Sequence, residues 1–280
     1  MPDQRQSLTS AELAKATAAE LRACVRAGAW TGPTTGLARG YVQANLVILP
    51  ADAADEFAEF CRANPRPCPL LEQTAPGDPE PHDAAPGSDV RTDVPRYRVF
   101  RQGKLEPQEP TDIQHLWRDD LVSFLLGCSF TFENALVREG LPVRHIDQQR
   151  NVPMYRTNRA CRPAGRFSGE LVVSMRPYPP EAIERVSEVS GRFPTQHGAP
   201  IHVGDPQALG ITDLERPDYG DAVTLHPGEV PVFWACGVTP QAALLNARCE
   251  LAITHSPGCM FVTDWRDADL EAARSEGRAP

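Results

Sequence analysis

The chain has 280 residues, 41% of them hydrophobic and 23% charged, a globular mix that suits one large α/β domain or two smaller ones. Its formal charge of -9 comes without any basic stripe, which excludes a phosphate-tracking surface and with it a nucleic-acid partner. No apolar run reaches the ~18 residues of a membrane span, and eight scattered cysteines without a CxxC pair, behind a polar N-terminus, point to reduced thiols in a cytoplasmic protein.

In chain order, Thr9 and Glu12 form a capping-box pattern that opens a helix. Leu13, Leu21, Cys24 and Val25 share its apolar face, Thr17 fills a gap in that face, and Gly28 ends it. Tyr41 to Pro50 is a near-continuous apolar run and predicts a buried strand. A helix carrying Phe57, Phe60 and Cys61 follows, then a short strand at Pro69–Leu71, which together predict a βαβ unit with parallel pairing. Residues 72–95, rich in Pro, Gly and Asp, read as a long surface loop, and Arg96 to Glu106 as a hairpin around Gln102–Gly103–Lys104. Asp120 to Leu126 is predicted helical and broken at Gly127, and Ser129 to Arg138 is a second helix closed by Gly140.

From Asn151 onward the pattern shifts to short strands and turns. Glu170 to Arg176 predicts a strand, and Pro180 to Ser190 a helix with proline at its start and Gly191 after its end. Gln196 to Asp205 reads as loop and short strand. Val230 to Cys236 is a strand, and Thr239–Pro240 caps a helix. Leu251 to Thr254 and Met260 to Thr263 flank Ser256–Pro257–Gly258 as a hairpin, and the charged end after Arg266 is expected to fray.

Several segments carry groups suited to chemistry. Cys128 and Ser129 stand at a predicted helix start, where free N–H groups attract anions; they read either as a carboxylate cradle with Glu133 as acid or base, or as a plain capped helix. Cys128 has no neighbouring histidine in sequence to activate it as a nucleophile. Arg156 can hold a carboxylate through two parallel N–H bonds, with Thr157 and Asn158 placed for a carbonyl or amine, or the segment is a polar turn tied by its own side chains. Ser174 and Arg176 share one face of their strand. His197, His202 and Asp205 fall within nine residues. They read as a proton-transfer pair of His202 with Asp205, as ligands of a divalent metal joined by His255, or as a loop stapled by internal hydrogen bonds. Gly237 sits where a strand turns into a capped helix, a second place for an oxyanion.

The segments GYVQANLVILP, FLLGCSFTFENAL, NVPMYRTN, VVSMRP, HGAPIHVGDP, VPVFWACGVTPQ and ITHSPGCMFVTD occur in this order across residues 40–264. Together they resemble the signature blocks of the D-glutamate cyclase family, whose bacterial members carry the label of hydro-lyases. The last block of that family usually reads PGHMFVTD, so Cys259 stands where the family has a histidine. The resemblance implies an α/β architecture with a smaller α+β subdomain, and closure of D-glutamate to 5-oxo-D-proline with loss of water, in the setting of 5-oxoproline and amino-acid metabolism. The combined expectation is a three-layer α/β/α-type main domain over residues 1–145 together with 225–270, an α+β subdomain over 146–224, and a frayed tail at 271–280.

On this reading a small-molecule carboxylate is the partner. Arg156 and Arg176 clamp its carboxylates, with Thr157, Asn158 and Ser174 beside them. His202 supported by Asp205 is the base, and Glu133 is the acid if burial raises its pKa. Backbone N–H groups near Cys128–Ser129 or Gly237–Val238 meet the oxyanion. No cofactor is firmly implied, and a divalent metal on His197, His202, Asp205 and His255 stays open, as do a homodimer and a non-catalytic small-acid binding protein.

Overall fold

The structure, a computed structural model, describes residues 9–275. It is a mixed α/β fold with two sheets, and the chain divides into two compact units: residues 1–55, 71–126 and 248–280, and residues 56–70 with 127–247.

In the first unit, α1 (Ser10–Leu13) and α2 (Ala18–Arg26) replace the single predicted helix. Thr17 is the reason: its hydroxyl accepts from Glu20 N while the Glu20 carboxylate accepts from Thr17 N, a second capping box that restarts the helix where a gap in the apolar face was expected. β1 (Tyr41–Pro50) is the buried strand the apolar run predicts. It leads into α3 (Ala51–Ala63) and β2 (Leu70–Gln73). The hairpin of β3 (Tyr97–Arg101) and β4 (Lys104–Leu105) also forms as expected.

Leu121–Leu126 is a strand, β5, rather than a helix. All six of its residues are buried and it pairs antiparallel with β1 from Leu121↔Pro50 to Leu126↔Asn45, so an apolar run without alternation marks a strand covered on both faces. β5 also separates β1 from β2. Backbone bonds Thr74 N to Ser123 O and Gly77 N to Leu121 O run the chain after β2 against β5, so the predicted parallel pairing of β1 with β2 does not occur.

With β10 (Ala252–His255) and β11 (Phe261–Arg266), the seven-stranded sheet has the order β2-β5-β1-β10-β3-β4, with β11 also on β1. β10 and β11 do not form the expected hairpin; both run antiparallel to β1, through Thr254↔Val47 and Phe261↔Ala44, as one strand interrupted by a loop. Thr34 holds that loop out: its N–H donates to Gly258 O, and its hydroxyl accepts from Met260 N. Asp267–Ser275 forms a helix, α8, where fraying was expected, and residues 276–280 of the expected tail lie outside the described residues.

The second unit holds α4 (Phe130–Arg138), α5 (Arg144–Asp147), β6 (Met154–Ala160), β7 (Glu170–Tyr178), α6 (Ile183–Gly191), β8 (His202–Val203), β9 (Val230–Ala235) and α7 (Val238–Ala247). The later part of α3 belongs here too, packing Phe57 and Phe60 on Phe167. The antiparallel sheet runs β6-β7-β9-β8. Tyr155, Val173, Met175 and Phe233 fill one face with Leu209, Ile211 and Val223. Strand alternation sends Val172, Ser174, Arg176 and Trp234 to the other face, where α4, α6 and α7 supply Phe132, Ser190 and Thr239 as neighbours.

Candidate active site at the starts of α4 and α7

α4 begins where β5 ends, after Gly127. A Cβ at Gly127 would collide with the Thr195 carbonyl, so glycine is what lets the 3-10 turn Pro194–Gln196 press against this helix start. The contact is specific: Gln196 Oε1 accepts from Cys128 N at 2.8 Å. Ser129 occupies the N-cap position without capping, because its hydroxyl turns inward and donates to Glu133 Oε1 at 3.2 Å.

Glu133 and Arg176 form the centre of the cluster, only 2% and 1% exposed. Arg176 Nε donates to Glu133 Oε1 at 3.1 Å, and Nη2 donates to the same oxygen and to Ser129 Oγ. Nη1 donates to Ser174 Oγ at 3.0 Å. The guanidinium carbon lies 5.1 Å from the ring centroids of both Phe132 and Trp234, so aromatic faces complete its desolvated surroundings. His145 Nε2 stands 3.5 Å from Glu133 Oε2, and its Nδ1 has no hydrogen-bond partner.

Burial by itself would raise the Glu133 pKa, but Arg176 and His145, by charge and hydrogen bonds, hold the carboxyl well below the usual range. The carboxylate is therefore ionised, and the protonated Glu133 needed for an acid role is not what the surroundings favour.

His197 lies next to Gln196 and feels the charges of both Arg176 and Glu133. Its Nδ1 is 2.7 Å from the Arg66 carbonyl, which can only accept, so Nδ1 carries the proton and Nε2 keeps its lone pair. Burial pushes the imidazole pKa down to about 4, so the ring is neutral at physiological pH. Its backbone is in the left-handed region at φ 77°, rare for a residue other than glycine and often associated with functional positions.

The turn from β9 into α7 repeats the arrangement at α4. Cys236, like Cys128, is half-buried and precedes a helix, and each sulfur accepts from the N–H two residues on, Val238 and Phe130 respectively. The two thiols are close enough for the Cys236 charge to affect Cys128, and both feel Glu133. Burial pushes Cys128 up to about 12 and Cys236 up to about 11, so both stay protonated and neither is an activated nucleophile. The N–H groups of Ser129 and Gly237 have no hydrogen-bond partner among the described residues. Gln196 Nε2 and Thr131 Oγ1 are buried without one as well.

The structure thus brings together Glu133, Arg176, Ser174, Ser129 and Cys128 from the expected set, and the turn bearing Gly237 and Cys236 shares their surroundings. It does not bring in the others. Arg156 is exposed on β6, donating from Nε and Nη2 to the Tyr219 hydroxyl and lying over that ring. Thr157 spends its hydroxyl on Leu171 O, and Asn158 is exposed beside Gly210. His202 is on β8, the opposite edge strand from Arg156, roughly 14 Å away across three strand spacings.

His202 also stands on the opposite sheet face from Arg156, against Phe233. Its Nε2 meets the backbone oxygen of Asp205 at 2.8 Å, while the Asp205 carboxylate caps the following turn through Gln207 N. The expected carboxylate–imidazole pair is therefore not formed. His255 belongs to the first unit, buried between Ser256 O and Asn45 Oδ1. Among the described residues no three His, Cys, Asp or Glu side chains are grouped to hold a metal ion, and no helix is long and apolar enough to cross a membrane.

Gln196 and Cys236 were not singled out from the sequence, and His197 was read there only as a possible metal ligand. The Arg66 carbonyl that sets the His197 tautomer is 131 residues away along the chain, and nothing local predicts it. The repeated Cys-then-small-residue step before two helices, Cys128–Ser129 and Cys236–Gly237, was the available signal.

A family model described as D-glutamate cyclase matches residues 122–264. A Rubrobacter xylanophilus protein named "Putative hydro-lyase" is 64% identical over 254 residues, covering 91% of this chain and 98% of its own length. Relatives with the same kind of name from Bacillus licheniformis and Stutzerimonas stutzeri are 60% and 59% identical, covering 89% and 90% of this chain and 94% and 95% of theirs.

Proposed function

This chain belongs to the D-glutamate cyclase family, and we propose that it is a hydro-lyase that closes a small amino dicarboxylate, D-glutamate, to 5-oxo-D-proline with loss of water at the starts of α4 and α7. The observation that carries this reading is the convergence of two cysteine-bearing helix starts on the buried Arg176–Glu133 pair, beside a neutral histidine of fixed tautomer.

The reaction sets three demands. The substrate amine must lose a proton to attack; His197 Nε2 takes it, and the arriving carboxylate charge raises the basicity of a ring that burial otherwise holds down. The attacked carboxyl must carry negative charge in the transition state; Ser129 N–H, Gly237 N–H and Gln196 Nε2 are the open donors, each well-aimed one worth about 3–4 kcal/mol. The C–O bond then breaks as the C–N bond is completed. His197 returns the protons it received from nitrogen to the departing oxygen, which leaves as water. Glu133 balances and holds Arg176 in place rather than supplying a proton.

The test is turnover of D-glutamate, L-glutamate and 5-oxoproline by purified protein, read as loss or gain of one water by mass, in wild type, His197→Asn and Arg176→Lys. Loss of turnover of roughly a hundredfold or more in both variants, with circular dichroism unchanged, fits the removal of general-base and electrostatic help. Binding of these acids without any loss of water would make the chain a binding protein and end the enzymatic reading. Wild-type rates in both variants would move the chemistry elsewhere.

A further inference from the structure

A separate cleft of about 540 Å³ lies in the second unit, between the middle of α7 and the ends of β6 and β7. Its walls include Arg156 and Glu170, with Asn246, Ala242, Leu245 and Cys161. Residues 170, 172, 174 and 176 alternate along the same face of β7. Glu170 is thus about 13 Å along the strand from Ser174, the near edge of the Arg176 cluster, with Val172 under Thr239 between them.

Two features of the cleft have no use in the fold. The Glu170 carboxylate makes no hydrogen bond or ion pair among the described residues. Arg156 is fixed by Tyr219 through Nε and Nη2, which leaves Nη1 without a partner. An anchored cation and an open carboxylate therefore line one cleft; the charges of Asp218 and then Glu170 act on Arg156, yet no contact between Arg156 and Glu170 satisfies either. The rest of the lining is small or apolar: Ala160, Pro163, Ala242 and Leu245, the last 36% exposed. Asn246 is held by donating to Ser168 O, which leaves its own carbonyl oxygen facing no donor.

We propose that this cleft is a binding site for a zwitterionic α-amino acid with a short apolar side chain, its carboxylate on Arg156, its ammonium on Glu170 and its side chain against Ala242 and Leu245. The charges require both ends of the ligand at once. An anion alone leaves Glu170 uncompensated beside it, and a cation alone does the same to Arg156. The apolar wall offers no partner to a third charge, so glutamate is a poorer fit here than a neutral amino acid. The site is independent of the catalytic reading, since none of its residues belongs to the Arg176 cluster.

The experiment is isothermal titration of the full chain with D- and L-norvaline, valerate and n-pentylamine. One norvaline enantiomer is expected to bind at one site per chain at least tenfold more tightly than valerate or pentylamine. Arg156→Gln and Glu170→Gln, both exposed positions, are each expected to weaken norvaline at least tenfold, while Arg176→Lys leaves it within a factor of two. Three results would overturn the proposal: no norvaline binding where circular dichroism shows folded protein, equal binding of valerate, or loss of norvaline binding in Arg176→Lys with retention in Glu170→Gln. None of these outcomes depends on whether D-glutamate is turned over.

Discussion

Glu133→Gln removes the counter-charge of a guanidinium that is almost wholly buried. Two unit charges 3.1 Å apart, the Arg176 Nε to Glu133 Oε1 distance, attract by about 5 kcal/mol at an effective dielectric near 20. Breaking a buried pair by changing one partner costs about 3–5 kcal/mol, since the survivor stays desolvated. For a chain of this size that corresponds to a fall in Tm of roughly 6–20 °C. Arg176→Met alone should cost as much, because Glu133 is then left with His145 and Ser129 only.

Glu133→Leu combined with Arg176→Met removes both charges, and the pair sits among Phe132 and Trp234, where apolar groups are at home. The double variant should therefore be more stable than either single one, by about 2 kcal/mol or more, with Ser129 and Ser174 losing partners as the residual cost. It should have no turnover. Hydrogen exchange at the β7 amides under urea reads this unit without interference from the other. Additive losses in the double variant, or a single-variant cost below about 1 kcal/mol, would refute the account of Glu133 and Arg176 as a buried pair in which each charge depends on the other for compensation.

Other consequences follow from the same chemistry. His197 and His255, both held at about 4 by burial against an unfolded value near 6.5, bind fewer protons folded than unfolded between those values. Stability is therefore full above pH 6.5 and falls as pH drops toward 4, by on the order of 3 kcal/mol for each histidine, and His197→Gln should flatten that slope in the second unit only. Glu133 acts in a lower window: its depressed pKa adds stability above about pH 4.5 that is lost on further acidification, and Glu133→Gln should remove this dependence in acid unfolding. With thiols at about 12 and 11, Cys128 and Cys236 should react with iodoacetamide at pH 8 about two to three orders of magnitude more slowly than an ordinary thiol, and labelling at the glutathione rate would show that they ionise. Gly127→Ala should abolish turnover and loosen Gln196, seen as faster exchange of the Cys128 amide, because the new methyl meets backbone that cannot move aside cheaply.

Much of the fold was legible because β1, the β3–β4 hairpin, α4 and β9 each carry a local signal: an apolar run, a glycine turn, a helix periodicity or a strand before a cap. The misread elements lack one. Leu121–Leu126 has no alternation, and six apolar-rich residues fit a helix turn as well as a strand; only pairing with β1 decides, and that contact is some 75 residues distant in sequence. Ser256–Pro257–Gly258 is a turn sequence and the turn forms, Cys259 N donating to Ser256 O, but Thr34 binds Gly258 O and Met260 N beyond it, and β10 and β11 pair with β1 instead of with each other.

The site divides along the same line. Ser174 and Arg176 share a strand face by period two, and Ser129 and Glu133 share a helix face by period four, so each pair could be placed from spacing alone. What spacing could not supply was how pairs from different segments meet. His202 and Asp205 stand three residues apart, yet at the edge of a sheet that proximity is spent on backbone: one imidazole nitrogen on a carbonyl, one carboxylate on a turn N–H. His197 has no such local partner. Its Nδ1 is taken by the Arg66 carbonyl, and that long-range bond is what leaves Nε2 open near Arg176. Each histidine thus gives one ring nitrogen to a backbone carbonyl and keeps the other, so the free nitrogen alone does not separate them; His197 is the better candidate for the base because its ring lies within the charge field of Arg176 and Glu133, whereas His202 stands against Phe233 on the other face of the sheet.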